Sequence, residues 1–102
     1  MAAADTDDPR RLILGPGSVP RLARHAKLRH DEVRGHWVLL APERILTPSD
    51  TAVAVLQLCD GAARIDSIAL RLASEYEAPL ATILDDILPM LQELADKGYV
   101  IA

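Results

Sequence analysis

Hydrophobic and polar positions alternate with a period of two between Arg21 and Leu46, and with a period near that of a helix between Thr47 and Gly98. Ala26 and Leu28 alternate with Lys27 and Arg29, the pattern of a half-buried strand. Asp31 to Gly35 supplies a turn, and His36-Trp37-Val38-Leu39-Leu40 reads as a second strand, rich in β-branched and aromatic residues. Pro42 and Glu43 interrupt it, and Arg44-Ile45-Leu46 forms a short third strand. A proline beside that strand places it at a sheet edge, because proline cannot donate to a ladder.

The helical part begins at Thr47-Pro48-Ser49-Asp50, read as an N-cap threonine followed by proline at the first helical position. Thr51 to Cys59 is apolar on nearly every side, which predicts a buried first helix ended by Asp60-Gly61. Ile65, Ile68, Ala69, Leu72, Ala73 and Tyr76 form one stripe, predicting an amphipathic second helix over those residues. Pro79 opens a third helix that closes at Lys97-Gly98, and Tyr99-Val100-Ile101 returns as a short extended wing. This order predicts the α+β class: a winged helix-turn-helix with a three-stranded antiparallel sheet, three helices and a C-terminal wing.

Residues 1–19 read as a flexible N-terminal tail, small and polar at first and then broken by Gly15-Pro16-Gly17 and Pro20. Within it Leu12, Ile13 and Leu14 are able to dock on something. Residues 20–102 form the domain. At 102 residues, half of them hydrophobic, the chain can bury one core, and with no Phe and one Trp that core is aliphatic. The acidic N-terminus lacks the basic region of a signal peptide, and no stretch is long enough to span a bilayer, so a cytoplasmic protein is expected.

A search for catalytic chemistry finds little. His25, His30 and His36 can approach one another across a hairpin, but their spacing is no recognised zinc pattern, and they read as solvent-facing strand residues. Asp85 and Asp86 are adjacent on a helix and point about 100° apart, so they do not converge. Cys59 is the single cysteine and lies in an apolar run, which makes it a buried structural thiol. No enzyme, metal or cofactor is expected. Nucleic acid is disfavoured by the net charge of −4 and by Asp85, Asp86, Glu93 and Asp96 on the would-be recognition helix. A winged-helix DNA-binding regulator is therefore the weaker alternative. The basic residues gather in the strand region, at Arg21, Arg24, Lys27, Arg29, Arg34 and Arg44. They suit either a hydrated face or an acidic partner segment.

The third helix is the informative element. Leu80, Ile83, Leu84, Ile87, Leu88, Met90, Leu91, Leu94 and Ala95 fill an arc of about 160°, wider than one core requires. One flank is left for the wing, for a dimer partner, or for a groove against the third strand. An open strand edge beside an apolar helix flank meets both needs of recognition by strand addition. Pro89, on the polar side, removes one hydrogen bond of this helix and is expected to kink it.

Four segments in this order resemble the PqqD family of pyrroloquinoline quinone biosynthesis: Leu28-Arg29-His30-Asp31, Val38 to Leu46, Leu58-Cys59-Asp60-Gly61 and Leu94 to Gly98. The resemblance covers residues 20 to 102. It implies a non-catalytic peptide chaperone that binds the precursor peptide PqqA and presents it to PqqE, a radical S-adenosylmethionine enzyme. It further implies a peptide added as a strand at Glu43, Arg44, Ile45 and Leu46. The helical wheel adds Leu84, Leu88 and Leu91 as apolar partners. An open edge also permits a homodimer through strand or tail exchange.

Overall fold

The computed structural model describes residues 11–102. Its elements are β1 (Arg21–Leu22), β2 (Lys27–Asp31), β3 (His36–Ala41), β4 (Arg44–Leu46), α1 (Asp50–Gln57), α2 (Ile65–Tyr76), α3 (Leu80–Asp96) and β5 (Val100–Ile101). The expected α+β architecture is present: an antiparallel sheet in the order β2-β3-β4, then three helices and a terminal strand.

Local chemistry explains the meander. Asp31 Oδ1 accepts from the N–H groups of Val33 and Arg34, both at 3.1 Å, which folds the chain back. Gly35 completes the turn with φ of 74°, a conformation costly for a residue with a Cβ. The register then pairs Leu28 with Leu39 and Leu39 with Leu46, so these three share the inner face. Arg29, Val38, Leu40 and Ile45 alternate onto the outer face.

The helix bounds follow their caps. Ser49, not Thr47, is the N-cap of α1: its Oγ accepts from Ala52 N–H at 3.1 Å. That is the stronger capping residue of the two, and it leaves Pro48 outside the helix. Helix α2 has Arg64 at its N-cap, with no side-chain acceptor. Distant carbonyls serve instead: Ile65 N–H bonds Ser18 at 2.8 Å and Asp66 N–H bonds Pro16 at 2.8 Å. The predicted stripe is buried from Ile65 to Ala73, but Tyr76 stands 50% exposed in the last turn. Helix α3 runs through Pro89, which is exposed, without interruption. It ends in a Schellman turn, with Tyr99 N–H on the Leu94 carbonyl at 2.9 Å and Gly98 at φ of 83°.

Two clusters fill the interior. The larger joins α1, α2 and α3 through Val55, Leu56, Ile65, Ile68, Leu72, Ile87 and Leu91, with Val100. The smaller, Ala26, Leu39 and Tyr99, sits between the sheet and the end of α3. The terminal strand does not project. β5 pairs with β1, Leu22 against Val100 and Arg21 against Ile101, and so ties the end of the chain to the start of the domain.

Residues 11–19, placed in the tail by their composition, lie against the helices. Leu14 is buried in the helical cluster. The first ten residues lie outside the described part of the chain.

Candidate peptide-docking site

The β4 strand is one margin of the sheet, with β3 as its only paired neighbour among the described residues. Pro42 and Glu43 connect β3 to β4, and Glu43 adopts φ of 60°, left-handed backbone in a residue that is not glycine. Proline at the first turn position and positive φ at the second are the marks of a type II turn. With two residues between them, Ala41 and Arg44 close the hairpin as a pair that exchanges hydrogen bonds. Pairing alternates along an antiparallel ladder, so Leu46 also bonds back to β3 and Ile45 turns its N–H and C=O to the open side. Ile45 is 69% exposed.

Beside this edge runs a groove of about 350 Å³. Leu39 and Leu46 from the sheet form one wall, Pro48 and Ala52 the floor, and Met90 and Leu94 from α3 the other wall. Glu93 stands at its rim, paired with Lys97 at 3.1 Å. A smaller hollow of about 250 Å³ continues past Ser49, Ala52 and Met90 to Ile87 and the carboxylate of Asp86. The site therefore offers an open main-chain edge, an apolar trough and an acidic helix rim.

The structure brings part of the predicted set together. Glu43, Arg44, Ile45 and Leu46 form the turn and the edge strand, and Leu46 also lines the groove. Leu84, Leu88 and Leu91 do not reach it. Leu91 is fully buried in the helical core, and Leu84 and Leu88 pack half-buried against the same cluster. Met90 and Leu94 take the place foreseen for them. Both belong to the stripe Ile83, Ile87, Met90, Leu94, visible in the sequence at helical spacing but not separable there from the neighbouring leucine stripe.

The flank of α3 beyond Leu88 is covered by the chain itself. Gln92, one turn past Leu88, accepts from Leu14 N–H at 2.8 Å and donates to the Leu12 carbonyl at 2.8 Å. Its amide thus pairs with residues 12–14 as a neighbouring strand would. Arg11 grips Asp96 through two hydrogen bonds of 2.9 Å. Those bonds, with one from Gln92, hold the Asp96 carboxyl below the usual aspartate range.

Elsewhere little chemistry assembles. Burial, with the Asp60 charge beside it, pushes the Cys59 thiol up to about 12, and its S–H donates to the Val55 carbonyl at 3.3 Å. His30 stacks edge-on to Trp37, ring centroids 5.3 Å apart, and its Nδ1 lies 3.3 Å from Glu32. Among the described residues no group of three or more His, Cys, Asp or Glu is placed to hold a metal. No helix among them is long and apolar enough to cross a membrane.

Comparison with known proteins converges on one family. The family model for coenzyme PQQ synthesis protein D matches residues 36–100. The PqqA binding protein of Rhodopseudomonas palustris (strain BisB5) is 53% identical over 91 residues, 89% of each chain. That of Bradyrhizobium diazoefficiens is 50% identical over 92 residues, 90% of this chain and 89% of the relative. Among solved structures, the solution NMR structure of the PqqD truncation of Methylobacterium extorquens PqqCD superposes with a TM-score of 0.76. It is 48% identical and is described as a functional, stand-alone recognition element for ribosomally synthesised, post-translationally modified peptides, and the match covers 87% of this chain and 95% of that one. The family model spans β3, β4, the three helices and the residues that line the groove, and the chain belongs to the PqqD family.

Proposed function

We propose that the chain binds the precursor peptide PqqA as an added strand on β4 and presents it to PqqE in pyrroloquinoline quinone synthesis. The observation that carries this reading is the unpaired Ile45 edge lying next to the groove of Leu46, Met90 and Leu94. Main-chain bonds at Ile45 supply affinity, and alternate side chains of the peptide enter the groove. Glu43 and Arg44 sit at the turn end of that strand. Leu84, Leu88 and Leu91 act indirectly, by fixing where α3 stands relative to β4.

The chain works as a carrier in the cytoplasm and leaves the chemistry to the enzyme. A homodimer through strand exchange would use the same β4 edge and compete with the peptide, whereas tail exchange would release residues 11–14 from Gln92 on the other flank of α3. The DNA-binding alternative meets the exposed carboxylates of Asp85, Asp86, Glu93 and Asp96 on α3, which repel phosphate.

Titration of labelled protein with PqqA tests the reading. Amides of Ile45, Leu46 and the Met90–Leu94 segment are expected to shift together and saturate at micromolar peptide. Shifts confined to α2, or none, would sink it.

A further inference from the structure

The groove uses the inner side of the sheet margin. On the outer side lies a shallow basin of about 370 Å³ whose floor is Val38, Leu40 and Ile45, with Arg29 on one side and the ion-paired Asp31 and Arg34, with Glu32, at its hairpin end. These three belong to neither core cluster. The register sets Arg29 opposite Val38 and Lys27 opposite Leu40, so a cation flanks each of these two floor residues. Neither Lys27 nor Arg29 has an ion-pair partner among the described residues.

Charge is sorted along the chain in the same sense. Residues 21–49 hold six Lys and Arg against three Asp and Glu, whereas residues 50–102 hold three against nine. A net acidic protein thus carries two cations, Lys27 and Arg29, beside the apolar centre of this face, with the carboxylates of Asp31 and Glu32 set apart at its hairpin end. Such a face attracts carboxylates over distances comparable to the Debye length and steers their approach.

The geometry of strand addition gives this face a role. A peptide paired with β4 alternates its side chains between groove and outer face. Those in the groove are covered by Met90 and Leu94. The others continue the row that begins at Lys27, Leu40 and Ile45. Anything that must read or modify the bound peptide therefore meets it from the outer side, with the basin alongside.

We propose that the outer face of β2, β3 and β4 is the docking surface for the enzyme that receives the peptide. The enzyme would contribute a patch of carboxylates around an apolar centre, which sits over Leu40 and Ile45 between Lys27 and Arg29. This rests on the presentation reading above.

The test compares purified PqqE binding to the PqqA-loaded chain and to a Lys27→Glu/Arg29→Glu variant, at low and high salt. PqqA affinity is measured on the same samples. The expected result is a loss of PqqE binding of about tenfold or more at low salt, a shallower salt dependence, and PqqA affinity within twofold of the parent. Glu75→Lys/Glu77→Lys, a charge reversal at the exposed C-terminal end of α2, leaves PqqE binding unreduced. Unchanged PqqE binding in the Lys27/Arg29 variant overturns the surface and leaves presentation standing. No PqqE binding to the parent chain overturns presentation, and the surface with it. Self-association of the parent at low salt that vanishes in the variant, with PqqE binding intact, assigns the face to a second copy and overturns the proposal.

Discussion

One flank of α3, at Gln92 and Asp96, is closed by residues 11–14 of the same chain, while the other, through Met90 and Leu94, borders open space beside β4. The two flanks have similar helical spacing. They differ in their neighbours. On the closed flank Gln92 offers a hydrogen-bonding amide where a strand edge would otherwise be needed, and Leu14 fills the core beside it. On the open flank the main-chain edge belongs to β4, which has no strand on its far side among the described residues. The protein thus satisfies one flank internally and leaves the other open, and in the proposed reading an extended segment of the same kind fills it.

The largest effect should separate the flanks by stability. Leu91, with no exposed surface, is expected to cost about 2–5 kcal/mol when cut to alanine, because a cavity forms among packed helices. Met90→Ala, at the groove wall, should cost under about 1.5 kcal/mol, since its side chain is only partly buried, yet weaken PqqA binding severalfold. Urea denaturation and peptide titration on both variants check the pair. Equal destabilisation with equal binding would erase the distinction.

A smaller effect concerns the clamp. Gln92→Ala removes both bonds to residues 12–14 and should cost about 1–2 kcal/mol. Hydrogen exchange at Leu14 should accelerate while exchange at Ile45 stays as it was. Smaller still is the acid response. The Asp96 carboxyl is held below its ordinary value of 3.8 by Arg11 first and Gln92 second. A depressed carboxylate adds stability above its unfolded-state value and loses that contribution as pH falls through the lower folded-state value. Protection of Leu14 should therefore hold at pH 6 and decline below about pH 4, and Asp96→Asn should flatten that decline. Both solvent-exposed partners limit the size of the change.

Much of the helical layer could be read from the chain because its signals are local. Pro79 and Gly98 bracket α3, and the stripe from Ile65 to Ala73 marks α2 within its observed bounds. The meander was equally local, turning on Asp31 and Gly35. What escaped was set by distant parts of the chain. β1 and β5 have two residues each, too few to show a period, and they join the two ends of the domain. The N-terminus of α2 carries no cap of its own, since the acceptors come from Pro16 and Ser18. The candidate site followed the same rule. The edge strand was evident from Pro42 and the alternation of Arg44 to Leu46. The choice of helix flank was not, because a wheel gives the width of an apolar arc and says nothing of which side residues 11–14 will cover.

Amide hydrogen exchange at Ile45, with and without PqqA, tests the central claim most directly. That N–H faces the open side of β4, and a peptide strand paired there would accept its hydrogen bond. The account predicts exchange at Ile45 slowed by at least an order of magnitude in the complex, with Leu46, already bonded to β3, changing far less. Peptide binding that leaves Ile45 exchange unchanged would contradict it.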